Sequence, residues 1–83
     1  MRRYVITFAS THQAMAAENE LDGKLPMELI PTPRQISAEC GFTLLVQAQD
    51  ASSLKALLQN NSLCYSQIFE MIEQGERRYE IVN

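Results

Sequence analysis

Tyr65-Ser66-Gln67-Ile68-Phe69-Glu70-Met71-Ile72 admits two readings, and the choice between them decides the fold. Tyr65, Ile68, Phe69 and Ile72 recur at helical spacing. Ser66, Ile68, Glu70 and Ile72 against Gln67, Phe69 and Met71 give instead a strand with mixed faces. The strand is the better reading for two reasons. A helical pattern has just ended at Asn60-Asn61, and the chain beyond returns through Gln74-Gly75 into Arg78-Tyr79-Glu80-Ile81-Val82. That is the signature of a β-hairpin with glycine near its turn.

Upstream, Arg3 to Phe8 is a strand whose near-continuous apolar run of β-branched and aromatic residues suits a central position. Ser10 or Thr11 caps the next helix, in which Ala14, Ala17 and Leu21 recur at helical spacing beside Met15. Glu18, Glu20 and Asp22 give that helix a solvated face, and Gly23 suits the position that ends it. Met27 to Ile30 is a short second strand, closed by Pro31 and Pro33, which have no N–H to donate to a ladder. Gln35 to Glu39 has room for one helical turn. Phe42 to Val46 is a third strand. Asp50 or Ser52 caps a second helix striped by Leu54, Leu57 and Leu58.

Two β-α-β halves of similar length predict an α+β fold, a two-layer split β-α-β (ferredoxin-like) sandwich. Its four-stranded antiparallel sheet carries both helices on one face, and the C-terminal hairpin strand extends an edge. The second sheet face is then open, and a homodimer through that face or an edge is an arrangement such a sheet allows.

The 83 residues are 46% hydrophobic and 20% charged, with a formal net charge of −3. This is the composition of an ordinary globular chain, read as a single domain over residues 1–83. A core this small leaves no deep internal pocket, so any site is a groove, a loop or an edge. The acidic balance argues against nucleic acid as a partner. A base-stacking sheet would need Tyr4, Phe8, Phe42 and Phe69 to line one open face. The apolar run after Arg2-Arg3 stops at Phe8-Ala9, short of a signal-peptide core or a membrane span. No membrane association and a cytoplasmic location are therefore expected. In a reducing compartment Cys40 and Cys64 are free thiols. They form no Cys-x-x-Cys pair, so neither a metal nor another cofactor is expected.

The chemistry concentrates in Ile30-Pro31-Thr32-Pro33-Arg34-Gln35-Ile36-Ser37-Ala38-Glu39-Cys40-Gly41. The prolines stiffen this connection, and Gly41 allows close approach beside Cys40. Loops on a rigid scaffold are where reactive groups tend to sit. A free cysteine is also a common interior residue, and packing is the competing reading of Cys40. Cys64, between Leu63 and Tyr65, is read as packing. His12 is read as exposed, and Glu18, Glu20 and Asp22 lack the glycine and loop pattern of a calcium site.

Three segments resemble the selenium/sulfur (Se/S) carrier protein-like family of small bacterial domains. They are Tyr4-Val5-Ile6-Thr7-Phe8 with Ser10-Thr11, Ala14-Met15 and Glu18; Leu29 to Ser37 with Cys40-Gly41; and Tyr65 to Glu70. The resemblance spans about residues 3 to 71, and Gly75 to Asn83 reads as an addition to it. It implies a sulfur or selenium carrier with Cys40 as the carrier thiol, and Arg34, Ser37 and Gly41 in the same signature. Such a carrier holds its cargo as a persulfide or selenopersulfide. It relays the cargo between a donor protein, such as a cysteine desulfurase, and an acceptor protein. It needs an accessible thiolate and a docking surface, but no general base, metal or organic cofactor.

A free thiol of pKa about 8.5 is only about 3% thiolate at pH 7, and a pKa of about 6.5 would make it roughly 75% thiolate. Arg34 or a nearby helix N-terminus would favour the anion. Glu39 and the C-terminal end of a turn at Gln35 to Glu39 would oppose it. The alternative to a carrier is a non-enzymatic module that binds a small ligand or a protein partner, since no complete catalytic set stands in the chain.

Overall fold

The computed structural model describes residues 1–36 and 41–82. The elements run in the order β1 (Arg2–Thr7), α1 (Thr11–Leu21), β2 (Met27–Pro31), β3 (Phe42–Ala48), α2 (Ala51–Asn60), β4 (Gln67–Gln74) and β5 (Glu76–Ile81). The five strands form one antiparallel sheet in the order β2-β3-β1-β4-β5. This α+β arrangement is the split β-α-β pattern, with β5 added beside β4. The chain from Gln67 to Gln74 is a strand rather than a helix, as the hairpin return requires. Gly75 turns the hairpin at φ +79°, a left-handed conformation that glycine adopts without a steric cost.

Local chemistry sets the helix ends. The Ser10 hydroxyl accepts a hydrogen bond from the Gln13 N–H at 3.2 Å, and the Asp50 carboxylate accepts one from the Ser53 N–H at 2.8 Å. Each satisfies a donor that the first helical turn leaves unpaired. At the far end of α1, Gly23 takes φ +80° and the Lys24 N–H returns to the Leu21 carbonyl at 2.9 Å. Pro31 is tolerated because β2 is an edge strand.

Register assigns the two sheet faces. Tyr4 pairs with Val46, Ile6 with Leu44 and with Ile68, and Leu29 with Leu44. These residues pack with Ala14, Ala17 and Leu21 of α1 and Leu54 and Leu58 of α2 in one core, so both helices cover the same face. Leu57, the third member of the expected α2 stripe, is half-buried at its margin. Burial of each large aliphatic side chain there contributes about 1.5–3 kcal/mol.

The packing overturns the base-stacking arrangement. Tyr4 and Phe8 are buried beneath the helices, and Phe42 is on the same side by register, leaving Phe69 alone of the four on the other face. Among the described residues no helix is long and apolar enough to cross a membrane.

Candidate functional site

The second sheet face carries Ile30 of β2, Thr43 and Leu45 of β3, Val5 of β1, Phe69 and Met71 of β4, and Arg77 and Tyr79 of β5. Among the described residues no helix packs on it, yet Val5 and Thr43 are fully buried. An open groove of about 610 Å³ runs across it. Pro33, Arg34 and Gln35 form one wall, Arg77 and Tyr79 another, with Ile30 and Leu45 between them and Glu28 alongside. A second hollow, lined by Arg3, Glu28, Leu45 and Gln47 among others, shares Glu28 and Leu45 with the first. The two hollows are therefore neighbours.

A carboxylate braces the basic wall. Glu73 accepts a hydrogen bond from Arg3 Nη1 at 2.9 Å on one oxygen, and from Arg77 Nη2 at 2.9 Å and Nε at 3.3 Å on the other. The hydrogen bonding from Arg77, and then its charge, hold the Glu73 carboxyl below its usual pKa. The hydrogen bond to Glu73 raises that of Arg77. Among the described residues Arg34 has no hydrogen bond or ion pair, and it is exposed at the rim of the groove. Among the described residues the groove face holds Arg3, Arg34 and Arg77 against Glu28 and Glu73, which makes it the more basic side of an acidic protein.

The segment that holds the expected thiol begins and ends at defined points. Its base is closed where the Thr32 N–H donates to the Gly41 carbonyl at 3.2 Å, and the Ile36 N–H donates to the Pro33 carbonyl at 3.0 Å within a turn. Gly41 lies against the first turn of α1, where a Cβ would stand 2.9 Å from Thr11 Oγ1. The close approach allowed by this glycine is therefore made by Thr11. Cys40 and Ser37, with the rest of the turn expected at Gln35 to Glu39, lie outside the described residues.

Cys64 departs from its expected role. It is exposed in the connection between α2 and β4. Its neighbours Leu63 and Tyr65 pack against the core, and in extended chain the residue between two inward side chains points outward. His12 is exposed, as expected, and Glu18 is half-buried beside exposed Glu20 and Asp22. Among the described residues no three His, Cys, Asp or Glu side chains are placed to hold a metal ion.

Of the residues expected from sequence, Arg34 lines the groove and Gly41 meets Thr11, while Arg3, Glu28, Arg77 and Tyr79 in the two hollows were not named from sequence. The signal for Arg77 and Tyr79 was their period-two spacing in the hairpin strand. It became informative only once the register set their face.

The family model described as "Putative Se/S carrier protein-like" matches residues 3–70. Neither the curated proteins nor the solved structures give a match.

Proposed function

The chain belongs to the Se/S carrier protein-like family, and from that premise we propose that it carries a sulfur or selenium atom on Cys40. The match over residues 3–70, which spans the Pro31 to Gly41 segment and its cysteine, carries this reading. In the loading step the Cys40 thiolate attacks the terminal sulfur of a donor persulfide. The new S–S bond forms at Cys40, the donor's S–S bond breaks, and the donor leaves as a thiolate. In the unloading step an acceptor thiolate attacks the same terminal sulfur and Cys40 leaves as a thiolate. The transferred atom keeps its oxidation state through both exchanges, so no external oxidant or reductant enters.

Two features support a thiolate in this segment. Gly41, the sequence neighbour of Cys40, rests on the N-terminal turn of α1. The partial positive charge of a helix N-terminus favours anions within about its first turn. Arg34, in the same short connection, is a guanidinium without another partner among the described residues. The partners of such a carrier are a donor protein and an acceptor protein, in a reducing cytoplasm.

The test is intact mass after incubation with a cysteine desulfurase and L-cysteine. Wild type and Cys64→Ser gain one sulfur atom that a reductant removes, and Cys40→Ser gains none. Unmodified wild type, or equal loading of Cys40→Ser, overturns the assignment. The groove on the second sheet face favours a second reading, a non-enzymatic ligand- or protein-binding module. Under that reading, Cys40→Ala leaves partner binding and function in cells unchanged.

A further inference from the structure

We propose that the groove on the sheet face opposite α1 and α2 is a docking site for an acidic peptide segment of a partner protein. The proposal rests on the groove alone; joined to the carrier reading, it supplies that carrier's docking surface. Three observations choose the occupant. First, the groove is open, and the hollow beside Arg3 adjoins it through Glu28 and Leu45. An open trough suits an extended chain better than a small molecule, which a pocket must bury over most of its surface. Second, the basic groups on this face differ in readiness. Arg3 and Arg77 are held in place by Glu73, whereas Arg34 makes no bond among the described residues. A braced guanidinium loses less side-chain freedom when it meets a carboxylate, and an exposed one is open to approach from solvent. Third, Ile30, Leu45, Pro31 and Pro33 provide apolar surface between the charges, and the Thr32 hydroxyl in the groove lining is buried without a hydrogen-bond partner.

These features together describe a ligand with carboxylates flanking an apolar side chain. Glu28 and the overall charge of −3 add a constraint. An acidic segment meets a net acidic surface elsewhere and a more basic one here, which favours docking on this face.

The experiment is selection from a displayed library of random dodecapeptides against the immobilised full-length protein, then fluorescence titration of the winning peptide. Selected sequences are expected to carry Asp or Glu on both sides of an apolar residue. Amide shifts in isotope-labelled protein should concentrate at residues 28–35, 45 and 77–79. Arg34→Gln is expected to weaken the peptide roughly tenfold, with a larger loss for Arg34→Glu. Rising salt should weaken wild type more than Arg34→Gln. Thermal unfolding of Arg34→Gln confirms that the exposed substitution leaves the fold intact. The proposal is overturned if no acidic sequences are enriched, if Arg34→Gln binds as wild type does, or if the shifts fall on the helical face. It is also overturned if citrate alone reproduces the peptide's shifts, which would identify a small-anion site. Sulfur loading of Cys40 without peptide binding defeats this proposal alone. Peptide binding without loading defeats the carrier reading alone.

Discussion

Gly41→Ala tests the contact that joins the Pro31 to Gly41 connection to α1. Gly41 is not among the glycines at positive φ, so alanine faces no backbone strain there. Its new methyl group would stand 2.9 Å from Thr11 Oγ1, where ordinary contact begins at 3.4 Å. The hydroxyl is on a short β-branched side chain with few helical rotamers, so relief needs a rotamer change or a backbone shift. Overpacking of this kind costs about 1–3 kcal/mol. Alanine also narrows the unfolded ensemble, which returns about 0.4–1 kcal/mol. The expected net loss is about 0.5–2 kcal/mol, or several degrees in Tm for a chain of this length. Thr11→Ala removes the offending atom. In that background Gly41→Ala should be neutral, or stabilising by up to about 1 kcal/mol. Urea denaturation monitored by circular dichroism on the four proteins measures the coupling. Equal costs in the two backgrounds, within about 0.5 kcal/mol, would refute the contact as the reason for glycine.

Leu58→Ala should destabilise by about 2–5 kcal/mol, because Leu58 is fully buried between α2 and the sheet, whereas exposed Met15→Ala should change stability by less than about 0.5 kcal/mol; urea midpoints that rank them the other way would contradict the assigned core. Asp50→Asn keeps the cap geometry and removes its charge. The Ser53 hydrogen bonds, backbone first, lower the Asp50 pKa from 3.8. The charge therefore stabilises the fold above that value, and its contribution disappears as pH falls through the lower folded pKa. The stability gap between wild type and Asp50→Asn should close on acidification, and a gap that widens would reverse the sign. Cys64 is exposed, so Cys40→Ser should show one thiol that reacts with a disulfide reagent in the native state as fast as in denaturant, and protection of that thiol would contradict its placement.

The elements are legible because each carries a local pattern. The apolar spacing of Ala14, Ala17 and Leu21 predicts the buried stripe of α1, and all three are buried. Ser10 and Asp50, each one of two residues that could serve as a cap, are the caps that form. The hairpin return through Gly75 decides the strand reading of Tyr65 to Ile72, since the octet alone fits both periods. The packing reading of Cys64 fails because a cysteine between two apolar residues looks interior, while alternation along extended chain turns it outward. The candidate site is legible only in part. Pro33-Arg34 marks the connection by its composition, but nothing near Arg34 in sequence names Arg77 or Tyr79 as groove neighbours.

Sequence by itself determined the order of elements, two candidates for each helix cap and the apolar stripes of the helices. Those properties depend on spacing over a few residues, where the periods of helix and strand are fixed by backbone geometry. Only the tertiary structure decided that Arg34 shares a groove with Arg77 and Tyr79, and that Gly41 meets Thr11. Such meetings depend on strand order, twist and the path of a connection over the sheet. These distances between remote parts of the chain arise when the whole core packs, and no local pattern records them.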